Sequence, residues 1–201
     1  VGTQPSMIGR RVEETIKGYG FLPLRELSGH QLERYKLHSD KRLPNISIPY
    51  DPAESSIQVG EAYAFECFAS TGKGSVHDMM GRKFIYQLLP QRVPVRSQVT
   101  KKIASTIHNN YKTFPFAERW LTEYHGFNAA RVRFGLRELE SRGGVFGHYP
   151  LADIKESMVA QYENTFIVTE KEGVIVTTQP PFDFEIPDTI IEKQEKSEKQ
   201  K

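Results

Sequence analysis

The sequence predicts a mixed α and β protein, a β-rich frame interrupted by a basic helical block at residues 97–148. Three observations predict it. Residues 61–69, EAYAFECFA, alternate aromatic with small side chains, as a strand does. Strand character returns at 158–169, MVAQYENTFIVT. Between them, from Ser97, the apolar period changes to that of a helix.

The elements follow in order. Residues 5–18 place Ile8, Val12 and Ile16 at i, i+4 and i+8, with Pro5 early and Gly18 and Gly20 as a stop, which predicts an amphipathic helix. Phe21 to Leu24 reads as extended. Residues 43–50 hold two prolines and read as irregular or as an edge strand, and Asp51 to Gly60 as a loop. After the strand at 61–69, Ser70 to Gly74 is a turn and Lys83 to Leu89 a second strand. In the helical block, Val99, Ile103 and Ile107 mark a helix over 98–111. Phe116, Trp120 and Leu121 suggest a short one. Val132, Leu136 and Leu139 mark a third over 128–141, ended by Gly143-Gly144. The strand at 158–169 turns through 170–173 into Val174 to Thr178, a hairpin. The charged tail at 189–201 reads as solvated or disordered.

Composition bounds the function. The 201 residues amount to 23.0 kDa, enough for one domain with its own core. Twenty-seven basic residues nearly cancel 25 acidic ones, so nothing suggests a protein built mainly to coat nucleic acid or a membrane surface. One cysteine, Cys67, excludes an internal disulfide framework and Cys-rich zinc sites, and is compatible with a reducing cytoplasm. No apolar run approaches the roughly 20 residues of a membrane helix. The first residue is Val1, not Met, so a processed chain or a piece of a longer one is expected.

Two carboxylates occupy unusual positions. Glu66 and Glu163 both sit mid-strand among apolar neighbours, where an unpaired buried charge is costly and calls for a cation, a metal or a proton. A structural ion pair or a wet strand face would also account for either one alone. A nearby histidine would favour a metal. His30 and His38 are candidates. In a straight strand they would lie about 26 Å apart, at roughly 3.3 Å per residue. They share a site only if the chain turns between them, and Gln31 to Arg34 is polar enough to do so. Weaker features are set aside. Ser70-Thr71-Gly72-Lys73-Gly74-Ser75 lacks the residues of a phosphate loop. Cys67 has no evident base and reads as packed. His77-Asp78 reads as a loop pair, His108 and His125 as surface residues, and Arg131, Arg133 and Arg137 as a solvated helix face.

Several separated motifs carry a family resemblance. Leu27-Ser28-Gly29-His30, Glu33 to His38, Pro44-Asn45-Ile46, Ala64 to Gly74, Thr113 to Leu121 and Ala160 to Thr165 together resemble the type 2 methionine aminopeptidases, the archaeal form above all. The resemblance runs from residue 5 to 179. It implies an α+β pita-bread metallopeptidase fold, here its second half, with an inserted helical, winged-helix-like subdomain at 97–148. The frame would then be residues 1–96 and 149–188. It also implies a dinuclear site of Co, Mn, Fe or Zn, with His30, Glu66 and Glu163 as metal ligands and Glu163 bridging. Glu66 would double as the base. His38 would contact the substrate at the scissile peptide, and Tyr149, or its neighbour His148, would line the methionine pocket. The implied reaction removes the initiator methionine from nascent proteins in the cytoplasm, with the ribosome among candidate partners and neither DNA nor membrane.

The sequence departs from the family in three places. The first half, which in the family supplies two aspartate ligands and a further histidine, is not among these residues. The chain is therefore expected to be a C-terminal portion, inactive alone, with the missing half as a partner. Asn164 stands where the family usually has His, and Ser39-Asp40 where it has Ala-Gly. Two rivals of the same fold are a non-catalytic protein that binds ribosomes or RNA, and a proline-specific peptidase. The retained ligands weigh against the first, and the Phe114 to Leu121 segment with the helical block against the second.

Overall fold

A computed structural model describes residues 1–178 apart from 50 and 52. The predicted tail and the end of the predicted frame lie outside the described residues. In chain order the elements are α1 (Pro5–Gly18), β1 (Leu22–Pro23), β2 (Ser28–Leu32), β3 (Arg42–Pro44), β4 (Ala62–Ser70), β5 (His77–Asp78) and β6 (Ile85–Leu88). Then come α2 (Gln98–Asn110), β7 (Phe116–Ala117), α3 (Glu118–Glu123), α4 (Ala129–Ser141), β8 (Val145–His148), β9 (Leu151–Ala152), β10 (Val159–Thr169) and β11 (Gly173–Val176).

The main sheet has six strands in the order β11-β10-β4-β2-β3, with β1 also paired to β4. Every pairing in it is antiparallel. Pro44 sits on the edge strand β3, where its missing N–H breaks no ladder. The sheet is amphipathic. Leu43, Tyr63, Phe65, Phe166 and Val168 alternate onto one face and cluster with Ile8 of α1. Tyr63 and Phe166, directly opposite across β4 and β10, stack at 5.3 Å between ring centroids. Helix α1 comes in closely: a Cβ on Gly9 would sit 2.3 Å from the Ile46 carbonyl oxygen. The other face is free to carry polar groups.

A second apolar cluster holds the helices. Ile103 and Ile107 of α2, Leu121 of α3 and Val132, Leu136 and Leu139 of α4 pack with Tyr86 of β6, Phe116 of β7 and Val145 of β8. Ser97 caps α2 by accepting from the Thr100 N–H, and the Asn128 side chain caps α4. The small sheet β7-β6-β8 closes the unit, so β6, before residue 97, packs with the helices that follow it.

Two local expectations change. Phe116 belongs to β7 rather than to the short helix, which starts at Glu118; its ring is fully buried opposite Tyr86. His77-Asp78 is not a loop but the two-residue strand β5, held by β9.

Candidate metal and substrate site

The polar face of the main sheet gathers the site. His30 of β2 pairs in register with Ala64 of β4, and Glu66 lies two residues further along that strand. Glu163 of β10 pairs directly with Glu66. Directly opposite residues of an antiparallel ladder project to the same face, and so do residues two apart. His30, Glu66 and Glu163 therefore occupy one face of three successive strands.

Gly29 makes the approach of β2 to β4 possible. A Cβ there would fall 2.5 Å from the Ala64 carbonyl oxygen and 3.0 Å from the Glu66 nitrogen. His30 is buried, and its Nε2 lies 3.1 Å from Glu66 Oε1. Its Nδ1 is buried without a partner. Burial pushes the Glu66 carboxyl up, the charge of Glu163 pushes it further, and His30 opposes both.

The expectation that both glutamates are buried holds only in part. Glu66 is half-buried. Glu163 is exposed, near one end of the strand order, where only β11 lies outside its own strand, and Gln161 donates to its Oε2 at 3.3 Å. The wetter position costs less, so a carboxylate is tolerated there.

The donor set fits a divalent cation in part. An imidazole nitrogen and a carboxylate oxygen converge, and a second carboxylate faces the first. Among the described residues no group of three His, Cys, Asp or Glu side chains is close enough to hold a metal as it stands.

His38 joins the site through a turn. The chain folds back at a bridge between Glu33 and Lys36, with Tyr35 left-handed at φ 65°, two residues later than Gln31 to Arg34. Gln31 N–H donates to the Lys41 carbonyl at 2.8 Å, and Ser39 N–H to the Gln31 carbonyl at 2.9 Å. The two imidazoles then meet edge to face, 4.2 Å between centroids. His38 is held below its ordinary 6.5 by desolvation of its ring and by His30, Arg42 and His148 nearby. Both effects favour the neutral ring.

His148 and Tyr149 separate. His148 is half-buried, with Nε2 unpartnered, and lies within electrostatic reach of His38. The Tyr149 ring lies under Lys83 Nζ, at 4.3 Å. Of the two family substitutions, Asn164 projects to the face opposite Glu163 and bonds Tyr162 and Thr178. Ser39 and Asp40 brace the hairpin, onto Glu33 and Lys36.

The set-aside residues also find places. Burial raises the Cys67 thiol to about 11, on the apolar side of β4. His125 is not an ordinary surface residue: it is half-buried and 2.9 Å from the Tyr111 hydroxyl. The turn at Ser70 to Gly74 carries its own anion. Asp153 accepts from Ser70 Oγ at 2.7 Å, Lys73 N at 3.1 Å and Gly74 N at 2.9 Å, so those donors have none left for a phosphate. Asp153 and Arg42 were not singled out from the sequence. Arg42 follows from the register of β3 on β2, opposite His30. Nothing local signals Asp153.

No protein-family model matches the chain. The methionine aminopeptidase of Thermococcus kodakarensis is 40% identical over 172 residues, 85% of this chain and 56% of the relative. That of Thermococcus onnurineus is 39% identical over 178 residues, 88% of this chain and 58% of the relative. The chain thus spans somewhat more than half the length of these relatives. In structure it superposes on a thermophilic Arx1 with a TM-score of 0.73, at 19% identity, over 96% of this chain and 53% of that one. That likeness concerns the fold alone. No helix among the described residues is long and apolar enough to cross a membrane. The chain has the pita-bread fold and is a homologue of the archaeal methionine aminopeptidases over most of its length.

Proposed function

We propose that these residues form the second half of a type 2 methionine aminopeptidase, which removes the initiator methionine from nascent proteins in the cytoplasm. The observation that carries this reading is the placement of His30, Glu66 and Glu163 on one face of β2, β4 and β10. Frame residues 1–96 and 149–188 would hold the site, and 97–148 the insert, with β6 as the seam between them.

His30, Glu66 and Glu163 would hold the divalent ions; Co, Mn, Fe and Zn all suit an imidazole and carboxylate set. When bound, such ions polarise a carbonyl and make water a usable nucleophile near neutral pH. The chain's own groups do the rest. Glu66, a carboxylate on the face that would hold the ions, is suited to take a proton from the attacking water and pass it to the leaving amine. His38 can donate an N–H to the oxygen that gains charge as the peptide is attacked. Tyr149, or its neighbour His148, would line the methionine side-chain pocket.

By themselves these residues would hold at most one ion, weakly, and release little methionine. The test is complementation. A fragment spanning the first half of an archaeal relative, mixed with this chain, should restore uptake of two ions and methionine release from a Met-Ala-Ser peptide. Appreciable release by this chain alone, or none from the mixture despite complex formation, would count against the reading.

A second reading has its own observation. Arg131, Arg133 and Arg137 are exposed on α4, and Arg133 lines a cavity of about 400 Å³ beside it, together with Arg82 and Arg119, which pair with Glu118 and Glu123. Such a surface suits a non-catalytic protein docked on ribosomal RNA. Salt-dependent affinity for ribosomes, without metal uptake, would favour that reading.

A further inference from the structure

The hairpin that delivers His38 does not stand alone. Its tip touches the helical insert. Thr113 Oγ1 donates to the Tyr35 carbonyl oxygen at 2.7 Å, across 78 residues of chain. Lys112 Nζ lies 5.2 Å from the centre of the Tyr35 ring, and the Arg34 guanidinium 5.1 Å from it. Both residues that meet there are left-handed, Tyr35 at φ 65° and Lys112 at φ 53°. Bulky residues seldom take that conformation, and it persists only where the surroundings determine it.

Each side of the contact is anchored. On the insert side, the N–H groups of Tyr111 and Lys112 both donate to the carbonyl of Ile107, a fully buried residue of α2. The Thr113 carbonyl accepts from Gln87 Nε2 of β6 at 2.7 Å. On the hairpin side, Glu33 and Lys36 exchange backbone hydrogen bonds of 3.1 and 3.0 Å. Three residues beyond the tip is His38.

We propose that Thr113 and Tyr35, with Lys112, form a strut through which the helical insert sets the position of His38. The strut makes Thr113 and Tyr35 positioning residues. The inference rests on the reading of His38 as the substrate-contacting group for its consequence, but not for its test.

The test reads the imidazole directly. The whole chain is labelled with 15N and 13C at histidine, and its ring signals are recorded in the parent, T113V, T113S and Y35G. Valine removes the donor at nearly constant volume, serine keeps it, and glycine adopts φ 65° without strain while losing the ring. Expected are shifted or broadened His38 signals in T113V and Y35G, parent-like signals in T113S, and unchanged His77 and His108 throughout. His38 signals identical to the parent in T113V and Y35G would overturn the strut. So would a T113V shift that T113S retains. Should T113V fail to fold, Y35G decides alone. No metal or peptide enters the measurement, so failure of the aminopeptidase reading leaves this result intact.

Discussion

Glu66 and Glu163 stand directly opposite each other across β4 and β10, two carboxylates on one face with His30 3.1 Å from the first. Like charges so placed destabilise the empty sheet, and a cation between them reverses the sign of that interaction.

A divalent ion should therefore stabilise the chain. Mn²⁺ or Co²⁺ titrated into the parent should raise its melting temperature and give a measurable, weak isotherm of about one ion. E66Q removes one charge of the pair and should weaken binding by roughly tenfold or more. Removing the ion with a chelator should return the parent to its ion-free melting temperature. Equal affinity in E66Q, by calorimetry, would remove Glu66 from the ligand set.

Asp153 predicts an acid dependence. Its carboxyl is held far below the ordinary 3.8 by the Ser70 hydroxyl and by the N–H groups of Ile154, Lys73 and Gly74. A depressed folded-state value contributes stability above the unfolded value, lost as pH falls through the folded one. D153N should thus melt several degrees below the parent from pH 8 down to about 4. The gap should narrow below pH 3.8, the ordinary value. Scanning calorimetry over pH checks this. A gap independent of pH would assign the loss to packing instead of charge.

Gly29 is the packing hinge of the site. G29A would place a methyl 2.5 Å from the Ala64 oxygen and force β2 from β4. A cost of about 1–3 kcal/mol is expected from urea unfolding. Amide exchange should quicken at Leu32, the β2 residue paired with Ala62 of β4, and not at Gln31, whose N–H donates to Lys41 on the other side. An unchanged midpoint would mean that the two strands part without cost.

The sequence by itself determined the kinds of group and the periods that carry them. The strand alternation around Glu66 and Glu163 and the helical periods at Ile103, Ile107, Leu136 and Leu139 were legible because they are local. Phe116 was misplaced because burial opposite Tyr86, a long-range event, overrode a helical spacing. Only the tertiary structure decided which side of the sheet each strand residue faces, since a register shift by one residue would have turned Glu66 and Glu163 away from each other. Only it put His38 4.2 Å from His30 and set the Asp153 carboxylate into the turn at Ser70 to Gly74. Those relationships depend on pairings between residues far apart in the chain, and such pairings leave no periodic trace in the order of amino acids.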